Sequence, residues 1–361
     1  MKLLRPISIL VSCLLLAAGA AAQISLTPPG AEAPPAASKP AAKPKAKPPE
    51  VAKKPAAAAA TPKPATTPAA PTATVTPAPA PDDPNVDLVF GAYQRGQYKT
   101  AFDLATKRAQ DSGDPKAMTM LGELYANAMG VKRDYAKAAD WYKRAADGGD
   151  REAMFALAML RLAGRGGPVN HEEAAKLLAS SAKLGNPKAA YNLALLYLDG
   201  QTLPQDVTRA AELFRVAADA GNPEAQYALA TFYKEGTGVE KDVGKAVRLL
   251  QAASLADNVD AEVEYAIALY NGTGTPKNEA AAVALLRKAA KQNSPIAQNR
   301  LARVLVSGQG APMDKIEGLK WHIVAKTAGK GDPMLDEALA ALSPEDRAKA
   351  GAAARKWLGT K

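Results

Sequence analysis

From residue 115 onwards the sequence repeats itself with a period of 36 residues. Successive units begin at residues 115, 151, 187, 223, 259 and 295, and no insertion disturbs this spacing before the last unit, which lengthens to Asp332. Three positions of the unit carry only alanine or glycine: the third (Ala117, Ala153, Ala189, Ala225, Ala261, Ala297), the eighth (Gly122, Ala158, Ala194, Ala230, Ala266, Ala302) and the twenty-fourth (Ala138, Ala174, Ala210, Ala246, Ala282, Gly318). Fixed self-similarity on this scale is the signature of a repeat array, in which each unit buries its apolar face against its neighbours.

Each unit is predicted to form two helices. The residue before each unit is Asp, Asn or Ser, all good N-caps, and in four units proline follows at the first helical position. A second capping residue occupies position 20 of every unit, as Asp134, Asn170, Asp206, Asp242, Asn278 and Asp314. Within the first helix, positions 3, 7, 10 and 11 are mostly Ala, Leu and Tyr, a spacing that forms one apolar face. The pattern therefore predicts a helix–turn–helix unit.

A glycine pair such as Gly236-Thr237-Gly238 connects the two helices of a unit. Similar pairs recur at 164–166, 272–274 and 308–310, each directly after a predicted helix. A dinucleotide-binding loop would follow a strand and carry three glycines, and a Walker loop would continue into Gly-Lys-Ser/Thr. Glycine after a helix instead supplies the left-handed conformation that ends it. We interpret these pairs as connectors between helices, without a role in phosphate binding.

The repeating pattern A-x-x-x-L-A/G-x-x-Y/L-x-x-G-x-G-V-x-x-D-x-x-x-A-x-x-W/L-x-x-x-A-A-x-x-G resembles the Sel-one-like repeat, a relative of the tetratricopeptide repeat. Thr202 departs from it by replacing the second loop glycine of the third unit. The resemblance implies an all-α, right-handed α-solenoid over residues 85–332, with a short first unit before residue 115, and capping helices over residues 333–361. It also implies an adaptor or scaffold, since exported bacterial members bind envelope regulators, enzymes or host proteins.

The first 22 residues have the layout of a secretory signal peptide. Lys2 and Arg5 precede an apolar stretch, and a run of alanines ending at Ala22 provides a cleavage site. We therefore expect a periplasmic or secreted protein. The alternative is a chain tethered to the inner membrane, either by an uncleaved signal or by a lipid on Cys13, the only cysteine.

Residues 23–84 have a different composition, with seventeen prolines among Ala, Thr and Lys. With so few large apolar side chains, this segment is predicted to be a disordered Pro/Ala/Lys-rich linker. Its seven lysines against four acidic residues leave it basic. Weak association with anionic envelope polymers through this arm is the alternative to a plain spacer, and it gives an alternative function as a structural envelope-associated protein.

The sequence contains no pattern that predicts catalysis. His171 follows the cap Asn170 in a first helical turn, and His322 occupies a position that carries Tyr or an apolar residue in other units, so it is predicted to be packed. No H-E-x-x-H motif occurs, and zinc-binding cysteines are missing. The modest positive charge lacks the clustered basic and aromatic residues typical of nucleic-acid binding. We therefore predict no enzyme activity, no metal, no cofactor and no nucleic-acid partner.

One periodic surface stripe exceeds what packing obviously requires. Positions 5, 9 and 12 of the first helix share a face, which lies on the concave side in this superfamily. We predict that this face binds a protein or peptide partner and that the protein acts as a monomeric, exported scaffold. The predicted contact residues are Phe155, Met159, Tyr191, Leu195, Tyr227, Lys234, Tyr270, Asn299 and Arg303. The alternative, that the stripe packs against the adjacent helix pair, stays open at this point.

Overall fold

A computed structural model describes residues 87–359 of the chain. The predicted signal peptide (residues 1–22) and linker (residues 23–84) lie outside the described residues. The described part contains sixteen helices and no strand: α1 Leu88–Gln94, α2 Tyr98–Ser112, α3 Pro115–Asn127, α4 Tyr135–Asp147, α5 Arg151–Ala163, α6 His171–Lys183, α7 Pro187–Asp199, α8 Val207–Asp219, α9 Pro223–Glu235, α10 Val243–Leu255, α11 Val259–Asn271, α12 Glu279–Lys291, α13 Pro295–Ser307, α14 Lys315–Thr327, α15 Pro333–Ala340 and α16 Pro344–Gly359.

Every helix from α1 to α14 packs against its neighbours in the sequence. The second helix of a unit contacts the first helix of the same unit and the first helix of the next. Contacts are therefore local and repeat along the array, which is the arrangement of an α-solenoid. The prediction of an all-α solenoid is confirmed.

The twelve predicted caps of the six units are all formed. Asp114, Asp150, Asn186, Asn222, Asn258 and Ser294 each accept a hydrogen bond from a first-helix backbone N–H. The capping residues at position 20 do the same for the second helices. Each cap satisfies a backbone donor that the helix itself leaves unpaired. The helix starts are thereby fixed by single residues that recur every 36 positions.

The small residues at positions 3, 8 and 24 lie where the helices of the array touch. All eighteen of these residues are buried, and the sixteen alanines among them are each at most 3% exposed. A small side chain at a crossing allows two helix backbones to approach closely, so that larger neighbours interdigitate around it. Phe214 and Phe232, which are fully buried, fill the centre of the array in this way, with their rings edge to face at 5.5 Å.

The paired glycines have separate structural roles. The first, for example Gly164, has φ of 62° and ends the first helix in the left-handed conformation. The second packs against the start of the previous unit's second helix. A Cβ on Gly166 would lie 2.2 Å from the carbonyl oxygen of Tyr135, the first residue of α4. The connector therefore requires glycine for contact between units, and no ligand is needed to explain it.

The array ends in two helices outside the repeat. The last helix, α16, packs on α14, and the rings of Trp321 and Trp357 meet edge to face with centroids 5.0 Å apart. Ala350 and Ala354 are fully buried in this contact. Ser343 caps α16 by accepting a hydrogen bond from the Asp346 N–H at 3.1 Å. These helices cover apolar surface that the final unit would otherwise leave exposed, as a terminal cap must.

Gly122 provides a test of this packing. It replaces the alanine found at position 8 of the other units because a Cβ there would lie 2.5 Å from the Tyr142 ring. We expect Gly122→Ala to destabilise the protein by about 1–2 kcal/mol, since overpacking outweighs the gain of about 1 kcal/mol in helix propensity. In the background of Tyr142→Leu, which reproduces the alanine–leucine pair of the next unit, Gly122→Ala should instead be neutral or stabilising. Urea unfolding followed by circular dichroism on the four chains of this double-mutant cycle measures the coupling. Additive effects would show that the contact does not determine the glycine.

Candidate binding surface on the first helices

The central part of the predicted stripe reaches the surface. Phe155, Tyr191, Leu195 and Tyr227 are half-buried and pack by their inner edges on the core, while Met159 is 36% exposed. They come from α5, α7 and α9, the first helices of three consecutive units. The ring of Tyr191 lies on that of Phe214, with centroids 5.6 Å apart, so this tyrosine contributes to both core and surface. These five residues are therefore partly exposed at equivalent positions of three consecutive first helices, and we call them the partly exposed face.

Tyr270 requires a correction, because its side chain is only 7% exposed and belongs to the core. Its hydroxyl donates a hydrogen bond to the Gln309 carbonyl at 3.4 Å, and the next unit's connector covers its ring at Gly310. A Tyr at position 12 is covered by this loop, so it offers no surface for a partner.

The polar residues of the stripe are paired within the protein. Lys234 forms an ion pair with Glu264 in the next unit, with a Nζ–Oε2 distance of 3.1 Å. Asn299 and Arg303 both reach Asp332, the N-cap of α15; the Arg303 Nε–Asp332 Oδ2 distance is 2.5 Å. These three predicted contact residues are therefore engaged within the protein, and Asn299 and Arg303 hold the N-cap of α15 at the end of the array.

Asp332 is the carboxylate that both Asn299 and Arg303 contact. Burial by itself would raise its pKa, but the hydrogen bonds from Arg303 and Asn299, together with the backbone N–H of Met334, hold the pKa below its usual range. The ionised form is therefore favoured by folding.

A cavity of about 390 Å³ lies at the N-terminal end of the same face. It is formed by α1, α2, α3 and the start of α5. Its apolar wall includes Val89, Phe90, Tyr93 and Met120, and its polar lining consists of Asp87, Arg108, Lys116, Thr119, Glu123, Asp150 and Glu152. We call this the N-terminal pocket. The sequence reasoning missed it because α1 belongs to a short unit outside the strict 36-residue register, and the only available signal was the aromatic pair Phe90 and Tyr93.

Glu123, at position 9 of its unit, is one of four carboxylates that line the N-terminal pocket. Its carboxylate accepts hydrogen bonds from Asn127 Nδ2 at 2.7 Å and from the Tyr142 hydroxyl at 3.2 Å. Burial and then the charge of Glu123 raise the pKa values of Tyr93 and Tyr142 above that of an ordinary phenol. The pocket therefore combines an apolar wall with a negative charge.

The remaining chemistry-bearing residues have structural environments. His322 is fully buried, and its Nε2 lies 2.9 Å from Asp336 Oδ1, in agreement with the prediction of a packed histidine. His171 is exposed in the first turn of α6. Within residues 87–359, no cluster of three or more His, Cys, Asp or Glu side chains is arranged to hold a metal ion. In the same range, no helix has both the length and the apolar character needed to cross a membrane.

Capped helix pairs in series, with a partly exposed apolar face along their first helices, define a helical-repeat protein. The chain belongs to the Sel1 repeat family, whose model matches residues 115–150, 151–186, 187–222, 223–258, 259–294 and 295–330. The matched segments begin at the same residues as the six units. Proteins of this family are generally protein-interaction scaffolds, and the fold is typically non-enzymatic.

Two solved structures support the family assignment at the level of the fold. A Sel1 repeat protein from Oxalobacter formigenes is 26% identical, with a TM-score of 0.59, over 66% of this chain and 98% of that one. The protective antigen c5321 from uropathogenic Escherichia coli strains, which displays an SLR fold, is 24% identical, with a TM-score of 0.52, over 74% of this chain and 67% of that one. No curated protein matches the sequence.

The lowered pKa of Asp332 predicts acid sensitivity at the C-terminal end. A carboxyl group whose pKa is depressed by folding contributes stability above its unfolded pKa of about 3.9, and this contribution is lost as pH falls through the folded value. Asp332→Asn should therefore lower the melting temperature at pH 7, and the difference from the parent chain should shrink below about pH 4. Thermal melts at several pH values measure it, with the exposed Asp219→Asn as control. A difference that does not depend on pH would contradict the assignment.

Proposed function

We propose that this protein is an exported, non-catalytic scaffold that binds a protein or peptide partner through the concave face formed by its first helices. One observation carries the proposal. Along three consecutive units, positions 5 and 9 keep Phe155, Met159, Tyr191, Leu195 and Tyr227 partly exposed. In the next unit the same positions, Val263 and Ile267, are buried, and in the last they enter the ion-pair network of Asp332.

Positions 5 and 9 are partly exposed in three units but buried or ion-paired in later ones. This difference matters because packing of the repeat does not by itself require aromatic side chains to stay exposed to solvent. Aromatic side chains near the centre of an interface contribute most of the binding energy, and polar residues around them exclude water. The partly exposed face has this composition, with the Lys234–Glu264 pair beside it. An extended or helical segment of a partner would cover the apolar side chains of α5, α7 and α9.

Export and placement in the periplasm or outside the cell follow from the first 22 residues, with inner-membrane tethering as the alternative. A periplasmic or secreted scaffold of this design has no need of the basic linker for recognition, which then acts as a spacer. The protein is proposed to act as a monomer.

Substitutions on the partly exposed face test the proposed function. Partners are first identified by mass spectrometry after co-purification with the full chain, and their affinities are then measured. We expect Tyr191→Ala and Tyr227→Ala each to weaken binding by roughly tenfold or more, equivalent to about 1.4 kcal/mol. Because Tyr191 also packs on Phe214, Met159→Ala provides a variant at a more exposed position. Val216→Ala, at a 51% exposed apolar side chain on α8, is the control.

Melting temperatures of the same variants separate binding from folding. Loss of binding with little change in melting temperature supports the proposal. A sharp fall in melting temperature for both tyrosine variants, with binding unaffected by Met159→Ala, would assign the stripe to the core. The outer surface of the second helices, or the basic arm, would then be the better candidate.

The N-terminus of the mature protein tests export. We expect N-terminal sequencing or mass spectrometry of the protein from the periplasm or medium to give a chain that begins at Gln23, after the alanines of the cleavage site. A chain that begins at an acylated Cys13 would make the protein a lipoprotein, and an intact Met1 would make it a tethered one.

A further inference from the structure

The N-terminal pocket has a composition different from that of the central stripe. Its apolar wall contains Phe90, which is 47% exposed, and the nearby Leu88 on the same short helix is 40% exposed. The rings of Phe90 and Tyr93 lie nearly parallel at 6.5 Å. A cavity of about 390 Å³ is large enough for one or two side chains of a ligand, since pockets for small ligands begin at about 300 Å³. Exposed aromatic residues around such a cavity are typical of a binding site.

The charged side chains that line the pocket determine which charge a bound ligand should have. Four carboxylates line it, against two cations, Arg108 and Lys116. Asp87 is paired with Arg108 at 3.2 Å, and Glu152 lies 3.4 Å from Arg151. Each of these two acids therefore has one cation beside it, although Arg108 also pairs with Asp114 at 2.5 Å.

Glu123 and Asp150 are not compensated in this way. Glu123 accepts only neutral donors, the Asn127 amide and the Tyr142 hydroxyl. Asp150 accepts the Thr119 hydroxyl at 3.1 Å and the Ala153 N–H at 2.7 Å, and among the described residues neither acid forms an ion pair. The pocket is thus locally negative in a chain of formal charge +10.

We propose that the N-terminal pocket binds a basic peptide segment of a partner protein. A large apolar side chain of the segment enters the cavity against Phe90, Tyr93 and Met120, and its flanking Lys or Arg residues pair with Glu123 and Asp150. The ring faces of Phe90 and Tyr93 also attract a cation. The two acids complement opposite charge, and the apolar wall distinguishes this segment from a merely basic one.

This inference rests on the proposed function in one respect: the pocket lies at the end of the first-helix face that is proposed to bind the partner. Thr119 and Glu123 occupy positions 5 and 9 of the unit that begins at residue 115, and Phe155 and Met159 occupy those positions in the next. The pocket selects the chemistry of the partner segment at one end of this face, whereas the central stripe contributes apolar contacts.

Three labelled peptides test the proposal by fluorescence anisotropy with the full chain. The first has the sequence of residues 39–47 of this protein, KPAAKPKAK, which is basic but has no large apolar side chain. The second, KPAFKPKAK, adds a phenylalanine, and the third, EPAFEPEAE, reverses the charges. We expect the second peptide to bind at least tenfold more tightly than the other two, and its affinity to fall as salt is added.

Variants assign this binding to the pocket. Phe90→Ala should weaken binding of KPAFKPKAK about tenfold, and Glu123→Gln and Asp150→Asn should each weaken it about threefold or more. Asp150→Asn keeps the helix cap, because Asn186, Asn222 and Asn258 perform this function in other units. The matched controls are Leu255→Ala, at an 81% exposed leucine, and Asp219→Asn, at an exposed acid on α8; neither should change the affinity.

The remaining outcomes overturn the proposal in different ways. Equal binding of KPAAKPKAK would show that the apolar cavity is not used and that the chain's own linker is a competing ligand. Equal binding of EPAFEPEAE would show that the negative charge of the pocket does not select the ligand. No binding of KPAFKPKAK would show that the pocket is not a site for such a peptide. The central stripe is tested separately, with the co-purified partner and the variants Tyr191→Ala and Tyr227→Ala, so a failure of the pocket leaves that test intact.

Discussion

Close contact between helices through small side chains is the constraint on which this structure depends. Alanine or glycine occupies positions 3, 8 and 24 of every unit, and all of these residues are buried where helices meet. With no side chain beyond Cβ at the crossing, two backbones approach closely, and the larger residues on either side interdigitate. Where a bulky ring packs directly against one of these positions, even alanine is too large, as at Gly122 beneath Tyr142.

The connectors transmit this regularity from one unit to the next. The second glycine of each pair lies against the first residue of the preceding unit's second helix, for example Gly238 against Val207. The backbone N–H of the cap that follows also donates to the first helix, as Asp242 does to the Tyr233 carbonyl at 2.9 Å. Loop and cap together fix the angle between the two helices of a unit. Because every unit repeats the same local geometry, the first helices of all units lie on the same face of the array.

That face changes in character along the array. At its N-terminal end the pocket around Glu123 is negative, and in the middle the side chains are aromatic and aliphatic. Towards the C-terminal end, Arg303 and Asn299 are taken up by Asp332. A repeat that looks uniform in sequence therefore has a surface whose charge and apolar character change along the array. For the partner proposed above, such a surface would favour one orientation, because the reversed orientation would place its charges against the wrong end.

The sequence by itself determined the repeat register, the twelve caps, the helical class and the connector role of the glycines. These features are local or strictly periodic, so neighbouring residues are sufficient to specify them. Only the tertiary structure decided which periodic residues stay at the surface. Tyr227 and Val263 occupy the same position of consecutive units, yet Tyr227 is half-buried and Val263 is buried. Tyr270, which the sequence pattern places in the surface stripe, is buried because the next unit's connector covers it. The pocket at α1 likewise depends on four helices, of which α1 and α2 lie outside the 36-residue repeat. Exposure there is set by what packs from neighbouring units, which no local pattern encodes.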